Sequence, residues 1–88
     1  MKRILRFTAS WCNPCHMLAA ALEDIRNDWK DGMPPVEVID IDVNPELAQE
    51  YGIRSVPTLV MLDENIETRR QVGALPKSKL MEWIRGYA

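Results

Sequence analysis

Hydrophobic and polar residues follow one another in blocks that predict four strands in this chain. Residues 3–9 (RILRFTA) are rich in β-branched and apolar residues, which is typical of a strand. Similar blocks predict strands at 36–41 (VEVIDI) and 57–62 (PTLVML). A polar turn at 63–65 (DEN) leads into a returning strand at 66–72, so the last two strands are expected to form a hairpin.

Apolar residues spaced three or four positions apart predict three helices. The first follows the first strand and ends near residues 30–32, and its apolar stripe is Leu18, Leu22, Ile25 and Trp29. A short second helix is predicted over residues 45–51, with Asn44 as its candidate N-cap. The third begins near Pro76, and its apolar stripe is Leu80, Trp83, Ile84 and Tyr87.

The predicted order of elements is β-α-β-α-β-β-α, which is typical of an α/β fold. Because helices join the first three strands, at least part of the sheet is expected to be parallel, with right-handed crossovers. We therefore expect a four-stranded mixed sheet with helices on both faces. The chain has 88 residues, of which 47% are hydrophobic and 27% charged. This balance predicts one globular domain over residues 1–88.

Charge and hydropathy argue against nucleic-acid binding and against insertion into a membrane. The net charge is −2 and no basic run is present. No apolar stretch approaches the roughly 20 residues that a membrane-spanning helix needs. Residues 1–3 (MKR) resemble the start of a signal peptide, but Thr8, Ser10 and the cysteines interrupt the apolar region that should follow. We therefore expect a cytoplasmic protein, in a reducing compartment where a CxxC pair is catalytic or metal-binding more often than structural.

The candidate chemistry lies in residues 11–15 (WCNPC), which contain both cysteines of the chain. Because the first helix is predicted to begin here, Cys12 and Cys15 share one helix face, one turn apart. The attacking species in disulfide exchange is the thiolate. A thiol with the ordinary pKa of about 8.5 is only about 3% ionised at pH 7. Stabilising the thiolate by roughly 2 kcal/mol raises the ionised fraction to about half, and a helix N-terminus with its hydrogen bonds can supply this energy. We expect Cys12 to attack a substrate disulfide and Cys15 to release the reduced product, while Pro14 stiffens the ring between them.

Other chemistry is less well supported at these residues. Cys12-x-x-Cys15-His16 fits the CxxCH signature of haem attachment, but a haem of that type requires export and a distal ligand. A structural zinc site needs four ligands, and these residues supply at most three, so no metal site is expected. His16 is expected on the helix surface near the thiols. Asp40 and Asp42 could act as bases, but carboxylates at the end of a strand are more often solvated, and we favour that interpretation.

Four segments of the chain, in this order, resemble the thioredoxin family. Residues 11–15 resemble the family's active-site WCxPC motif. Residues 41–45 (IDVNP) and 51–59 (YGIRSVPTL) resemble the segment that leads to the family's cis-proline, and 72–75 (VGAL) is similar to the loop that completes its substrate groove. The resemblance extends over residues 5–84, and four ordered segments are a far more specific signal than a single CxxC.

The resemblance implies roles for residues outside the cysteine motif. Pro57 would be cis and face the cysteines, a conformation that proline adopts at modest cost. The backbone of Val56 would pair with an extended segment of the substrate, in the manner of strand addition. Trp11, Gly73 and Ala74 would border the groove, since a glycine there lets the backbone of a partner come close.

The resemblance also implies an activity, that of a thiol–disulfide oxidoreductase that reduces protein disulfides. Such a protein would take electrons from a thioredoxin reductase or a similar donor, hold no bound cofactor and act as a monomer. A glutaredoxin-like, glutathione-dependent oxidoreductase is the alternative that the short length favours, whereas Trp11 and residues 72–75 favour the thioredoxin type. A non-catalytic binding module with the thioredoxin fold is a third possibility, and the intact cysteine pair argues against it.

Several positions depart from the family pattern. Only eleven residues precede Cys12, so the family's opening strand and helix are expected to be missing. Arg6 replaces the family's buried carboxylate, Val38 replaces the lysine that accompanies it, and Asn13 replaces a glycine. The base that would deprotonate Cys15 is therefore unassigned, and we expect Arg6 either to reach solvent at the trimmed edge or to stabilise a thiolate by its charge.

Overall fold

Seven elements in the predicted order make up residues 1–86, the part of the chain that a computed structural model describes. The strands are β1 (Lys2–Thr8), β2 (Val36–Asp40), β3 (Thr58–Asp63) and β4 (Ile66–Val72). The helices are α1 (Asn13–Asp28), α2 (Pro45–Glu50) and α3 (Lys77–Arg85). Tyr87, which the sequence places on the apolar stripe of the last helix, lies outside the described residues. Within 1–86 no helix is both long and apolar enough to cross a membrane.

The four strands form one mixed sheet in the order β2-β1-β3-β4. Strand β1 pairs with β2 in parallel, in a register that places Phe7 opposite Ile39, and with β3 antiparallel. Strands β3 and β4 form the predicted antiparallel hairpin. Its turn is only two residues long, because Asp63 still pairs with Ile66 while Glu64 and Asn65 adopt positive φ angles of 51° and 68°. Parallel pairing is therefore confined to β1 and β2.

Helices cover both faces of the sheet, as predicted, and each face has its own core. On one face, α1 and α3 pack against the sheet, and the fully covered side chains there are Ile4, Leu18, Leu22, Ile25, Leu59, Met61, Leu80, Trp83 and Ile84. On the other face, Leu47 and Tyr51 from the α2 region cover Leu5, Phe7, Ile39, Val60 and Leu62. The alternation of side chains along β1 produces this division, since neighbouring residues of a strand point to opposite faces.

The first helix ends earlier than its apolar stripe predicts. Trp29 has extended backbone angles (φ −81°, ψ 122°), and its N–H caps α1 by donating to the carbonyl of Ile25 at 2.8 Å. The Trp29 ring is partly buried against the core, and the guanidinium of Arg85 lies 4.9 Å from its centre. Asn44 occupies the N-cap position of α2, although its side chain makes no capping hydrogen bond.

Candidate active site

Both cysteines lie where the chain leaves β1 and enters α1. Cys12 is the N-cap of α1, with extended backbone angles (φ −96°, ψ 103°), and its N–H donates to the carbonyl of Ala9 at 3.2 Å. Cys15, in the first turn of the helix, forms a disulfide with Cys12, and their Cα atoms are 5.3 Å apart. Pro14 occupies the first turn, where a missing N–H leaves no helical hydrogen bond unmade. The local sequence therefore places two sulfurs at bonding distance at the leading end of a 16-residue helix.

The Cys12 sulfur receives a hydrogen bond from the helix that it caps. The backbone N–H of Cys15 donates to the Cys12 Sγ at 3.2 Å. No acidic side chain lies in the first turn of α1 to oppose a negative charge there. The free N–H groups and the helix dipole both favour an anion at this position. The arrangement therefore stabilises the Cys12 thiolate once the disulfide is reduced.

Apolar side chains pack closely around the two sulfurs. Cys12 is 4% exposed and Cys15 is 0% exposed, so Cys12 is the more accessible of the two by only a small margin. Ala9 completes this cluster, and Ile41 and Val56 pack against it from the neighbouring loops. Apolar side chains from two other segments therefore cover both cysteines.

Trp11, beside the first cysteine, is held by a residue that the sequence does not identify. Its side chain is 66% exposed, and the indole Nε1–H donates to the Oδ2 of Asp42 at 2.9 Å. The backbone N–H of Asp42 in turn donates to the Oδ1 of Asp40 at 2.8 Å. Asp42 is exposed, as expected for a carboxylate at the end of a strand, and it is also the acceptor that orients the tryptophan. Asn13, at the first position of α1, is exposed.

The loop before β3 approaches the cysteines from the other side. The Val56–Pro57 peptide bond is cis, and Val56 packs against the cysteine cluster. The Gly73 N–H donates to the carbonyl of Pro57 at 2.8 Å, which ties the end of β4 to this loop. Gly73 has φ +90°, a backbone conformation that favours glycine, and Ala74 follows it at the surface. The structure therefore brings together the loops of Val56, Pro57 and Gly73, which the sequence separates.

Arg6 lies apart from the thiols. Its side chain lines a cavity of about 290 Å³ between α1 and the sheet, which Val38 also lines, and burial lowers the pKa of its guanidinium. Neither cysteine is among the residues that line this cavity. His16 is exposed on α1, as expected. No group of three or more His, Cys, Asp or Glu residues within 1–86 is placed to hold a metal ion.

The chain is similar in sequence and structure to known thioredoxins. The sequence model of the Thioredoxin family matches residues 1–86. The thioredoxin of Rhodospirillum rubrum is 41% identical over 78 residues (89% of this chain, 74% of the relative), and that of Griffithsia pacifica is 39% identical over 82 residues (93% and 74%). A mutant thioredoxin from Halobacterium salinarum NRC-1 superposes with a TM-score of 0.85 at 34% identity, covering 98% of this chain and 74% of that one. With its Cys12–Cys15 disulfide at the start of a helix, the chain belongs to the thioredoxin family and is a thiol–disulfide oxidoreductase that reduces protein disulfides.

Proposed function

We propose that Cys12 is the attacking thiol and Cys15 the resolving thiol. The Cys12 thiolate attacks one sulfur of a substrate disulfide, so that a mixed disulfide forms and the other substrate sulfur leaves as a thiolate. Cys15 then loses its proton and attacks the Cys12 sulfur, which releases the second substrate thiol and leaves the chain as the Cys12–Cys15 disulfide. The single observation that carries this assignment is the hydrogen bond from the Cys15 N–H to the Cys12 Sγ at the N-cap of α1.

The substrate groove of this proposal runs between the cysteines and the loop before β3. Within residues 1–86, neither backbone group of Val56 has a hydrogen-bond partner, so both are free to pair with an extended substrate segment. Val56, which precedes the cis Pro57, packs against the cysteine cluster and so lies beside the proposed groove. Trp11 would cover the substrate on one side, and Gly73 and Ala74 would border it on the other, where the absence of a glycine side chain lets the substrate backbone come close.

The electron donor that we propose is a thioredoxin reductase or a similar enzyme, and the substrates are protein disulfides. Trp11 before the first cysteine and the relatives named thioredoxin support this donor over glutathione. We further propose that residues 1–88 act as one domain, as a monomer in the reducing cytoplasm, with the cysteine pair as the redox group and no bound cofactor.

Reduction of insulin disulfides with two electron supplies tests the proposal. One supply is NADPH with thioredoxin reductase, and the other is NADPH with glutathione and glutathione reductase. We expect turnover with the first supply and little with the second; a preference for the second would instead assign a glutaredoxin-like enzyme. Cys12→Ser should abolish turnover, and Cys15→Ser should accumulate the mixed disulfide with insulin, visible on a non-reducing gel. If the protein's biological activity survived in both variants, a binding module would be the better description.

A further inference from the structure

Strand β2 forms one edge of the sheet. Among the strands within residues 1–86 it pairs only with β1, so one side of its backbone is left without a neighbouring strand. The Ile4 N–H donates to the Pro35 carbonyl and the Ile41 N–H donates to the Thr8 carbonyl, both at 2.9 Å. In a parallel ladder these two bonds direct the intervening odd-numbered residues of β2 toward β1. The backbone N–H and C=O groups of residues 36 and 38 therefore point away from the sheet, where a further strand could pair with them.

The side chains beside this edge form a partly apolar and partly cationic cavity. The cavity of about 290 Å³ lies between β2, β1 and the second half of α1, and its lining residues are Arg6, Ala19, Leu22, Glu23, Arg26, Val36 and Val38. Val38 is 56% exposed, so it presents open apolar surface beside this edge. The cavity contains two arginines and one glutamate, so its lining carries a net charge of 2 − 1 = +1.

The two arginines of the cavity make no ion pair within residues 1–86. No carboxylate lies within 4 Å of the guanidinium of Arg6 or of Arg26, and neither guanidinium donates a hydrogen bond to another side chain. Burial removes part of the water around the Arg6 guanidinium, and no ion pair within residues 1–86 replaces that water. Burial therefore lowers the pKa of the guanidinium. An arginine presents five N–H donors in a planar fork that matches a carboxylate.

We propose that this edge binds an extended segment of a partner protein that carries an acidic side chain. The segment would pair with the outward backbone groups of β2, lay an apolar side chain on Val38 and direct a carboxylate into the cavity toward Arg6 and Arg26. Strands in a sheet are about 4.8 Å apart, so an added strand lies roughly 10 Å from β1, a span that an arginine and a glutamate side chain bridge together. A small anion would leave the backbone edge and the exposed valine unused, so the observations favour a peptide.

This surface is separate from the groove at the cysteines. Arg26 lies eleven residues after Cys15 on α1, which is about 16 Å along the helix axis at 1.5 Å per residue. A partner bound at β2 would therefore leave the cysteine pair open to substrate. The surface therefore offers docking by strand addition at a distance from the redox chemistry.

Amide chemical shifts of the oxidised, ¹⁵N-labelled protein test the proposal with a synthetic peptide, acetyl-KTVTETK-amide, whose valine and glutamate are two positions apart and so lie on the same face of a strand. We expect saturable shifts in residues 36–40 and in the arginine side chains. Binding should weaken about fivefold or more when the peptide's glutamate is replaced by glutamine, since charge-assisted hydrogen bonds are roughly twice as strong as neutral ones. Methylation of the peptide's central backbone nitrogens should abolish binding. Arg26→Gln should weaken binding as the glutamine peptide does, whereas Lys30→Gln, with the same charge change outside the cavity, should not.

Four results would overturn the proposal. Shifts confined to Trp11 and Gly73 would place the peptide in the substrate groove instead. Equal binding of the glutamate and glutamine peptides would remove the arginines from recognition. The same shifts with sodium acetate alone would make the cavity a small-anion site. Shifts at residues 36–40 that depend on protein concentration without peptide would make a second copy the occupant.

Discussion

The hydrogen bond at the start of α1 predicts that the Cys12 thiol is unusually acidic. Cys15→Ser isolates Cys12 and keeps the backbone N–H that donates to it, while Cys12→Ser isolates Cys15. Each variant carries one thiol, so its titration reports one group and not a coupled pair. The comparison of the two variants, folded and in denaturant, is the perturbation that tests the electrostatic reasoning.

The size of the effect follows from the geometry of the N-cap. The start of a helix acts as roughly half a positive charge, and the donor nitrogen lies 3.2 Å from the sulfur. With an effective dielectric constant between about 20 and 40, the Coulomb energy with a thiolate is about 1.3–2.6 kcal/mol. By itself this energy would lower the pKa of the Cys12 thiol and multiply its ratio of thiolate to thiol by roughly 10 to 80, while burial of the side chain acts in the opposite direction.

The rate of alkylation at one pH is a poor measure of this shift. A more acidic thiol is also a weaker nucleophile, with a Brønsted coefficient of about 0.4–0.5. As a result, the rate of alkylation at pH 7 rises only about threefold, whether the ratio of thiolate to thiol increases 10-fold or 80-fold. The decisive quantity is therefore the midpoint of the rate of iodoacetamide alkylation against pH, or of the thiolate absorbance near 240 nm.

The Cys15→Ser variant should titrate well below the ordinary thiol pKa of about 8.5 when folded, and near that value when denatured. Because Cys12 is only 4% exposed, the shift should largely persist in concentrated salt, which would remove an effect of distant surface charges. Cys12→Ser should react far more slowly, since Cys15 is fully buried. Two results would refute the helix start as the cause of the lowered pKa. One is a titration midpoint of the folded variant at or above that of free cysteine, and the other is a lowered midpoint that returns to the ordinary value in high salt.

Four other substitutions test the active site, the core and a surface ion pair. Asp42→Ala removes the carboxylate that accepts a hydrogen bond from the Trp11 indole N–H. Because this charge-assisted bond is worth about 1 kcal/mol on an exposed group, kcat/KM for insulin should fall two- to fivefold. The circular dichroism spectrum should stay unchanged. Leu18→Ala should lower the free energy of unfolding in urea by about 2–5 kcal/mol, whereas its neighbour Met17→Ala should change it by less than about 0.5 kcal/mol, because the two side chains are 1% and 71% exposed. Arg70 lowers the pKa of Glu67, so their stabilisation is present above the ordinary carboxyl value of 4.5 and lost as the pH falls through the lowered pKa. Arg70→Ala should therefore cost at most about 0.5 kcal/mol at pH 7 and less at about pH 2, and an equal cost at both would contradict the ion-pair explanation.

The order of the elements could be predicted from the sequence because each element has its own period of apolar residues. The ends of the elements could not, since they depend on contacts beyond the local pattern. Residue 29 continues the apolar stripe of α1, yet Trp29 leaves the helix and turns its ring onto the core. At the hairpin, the polar run predicts a three-residue turn, but Asp63 still pairs across the sheet and leaves only Glu64 and Asn65 in the turn.

The candidate site divides in the same way. Cys12 as an N-cap and Cys15 one turn later follow from local sequence, because the spacing alone sets their geometry. The hydrogen bond between Trp11 and Asp42 joins residues 31 positions apart and depends on how the ends of β1 and β2 lie side by side. No pattern in the sequence reports such a contact. The direction of Arg6, into a cavity and not toward the thiols, likewise requires the packing of α1 on the sheet.

The position of Arg6 decides how the second step of exchange can proceed. Arg6 stands where the family has a buried carboxylate, and it lines a cavity with residues 19–26 of α1, so this position supplies no base for Cys15. The proton balance nevertheless closes, because Cys15 loses one proton and the departing substrate thiolate takes one up. An ordinary thiol is about 3% ionised at pH 7, a 30-fold penalty, and burial makes ionisation of Cys15 still less favourable. Two groups held in a favourable orientation react as if one of them were present at about 10⁵ M or more. This gain in rate exceeds even a thousandfold loss from the low ionisation of Cys15. The proximity of Cys15 to Cys12 at the start of α1 is therefore sufficient for Cys15 to complete the exchange without a dedicated base.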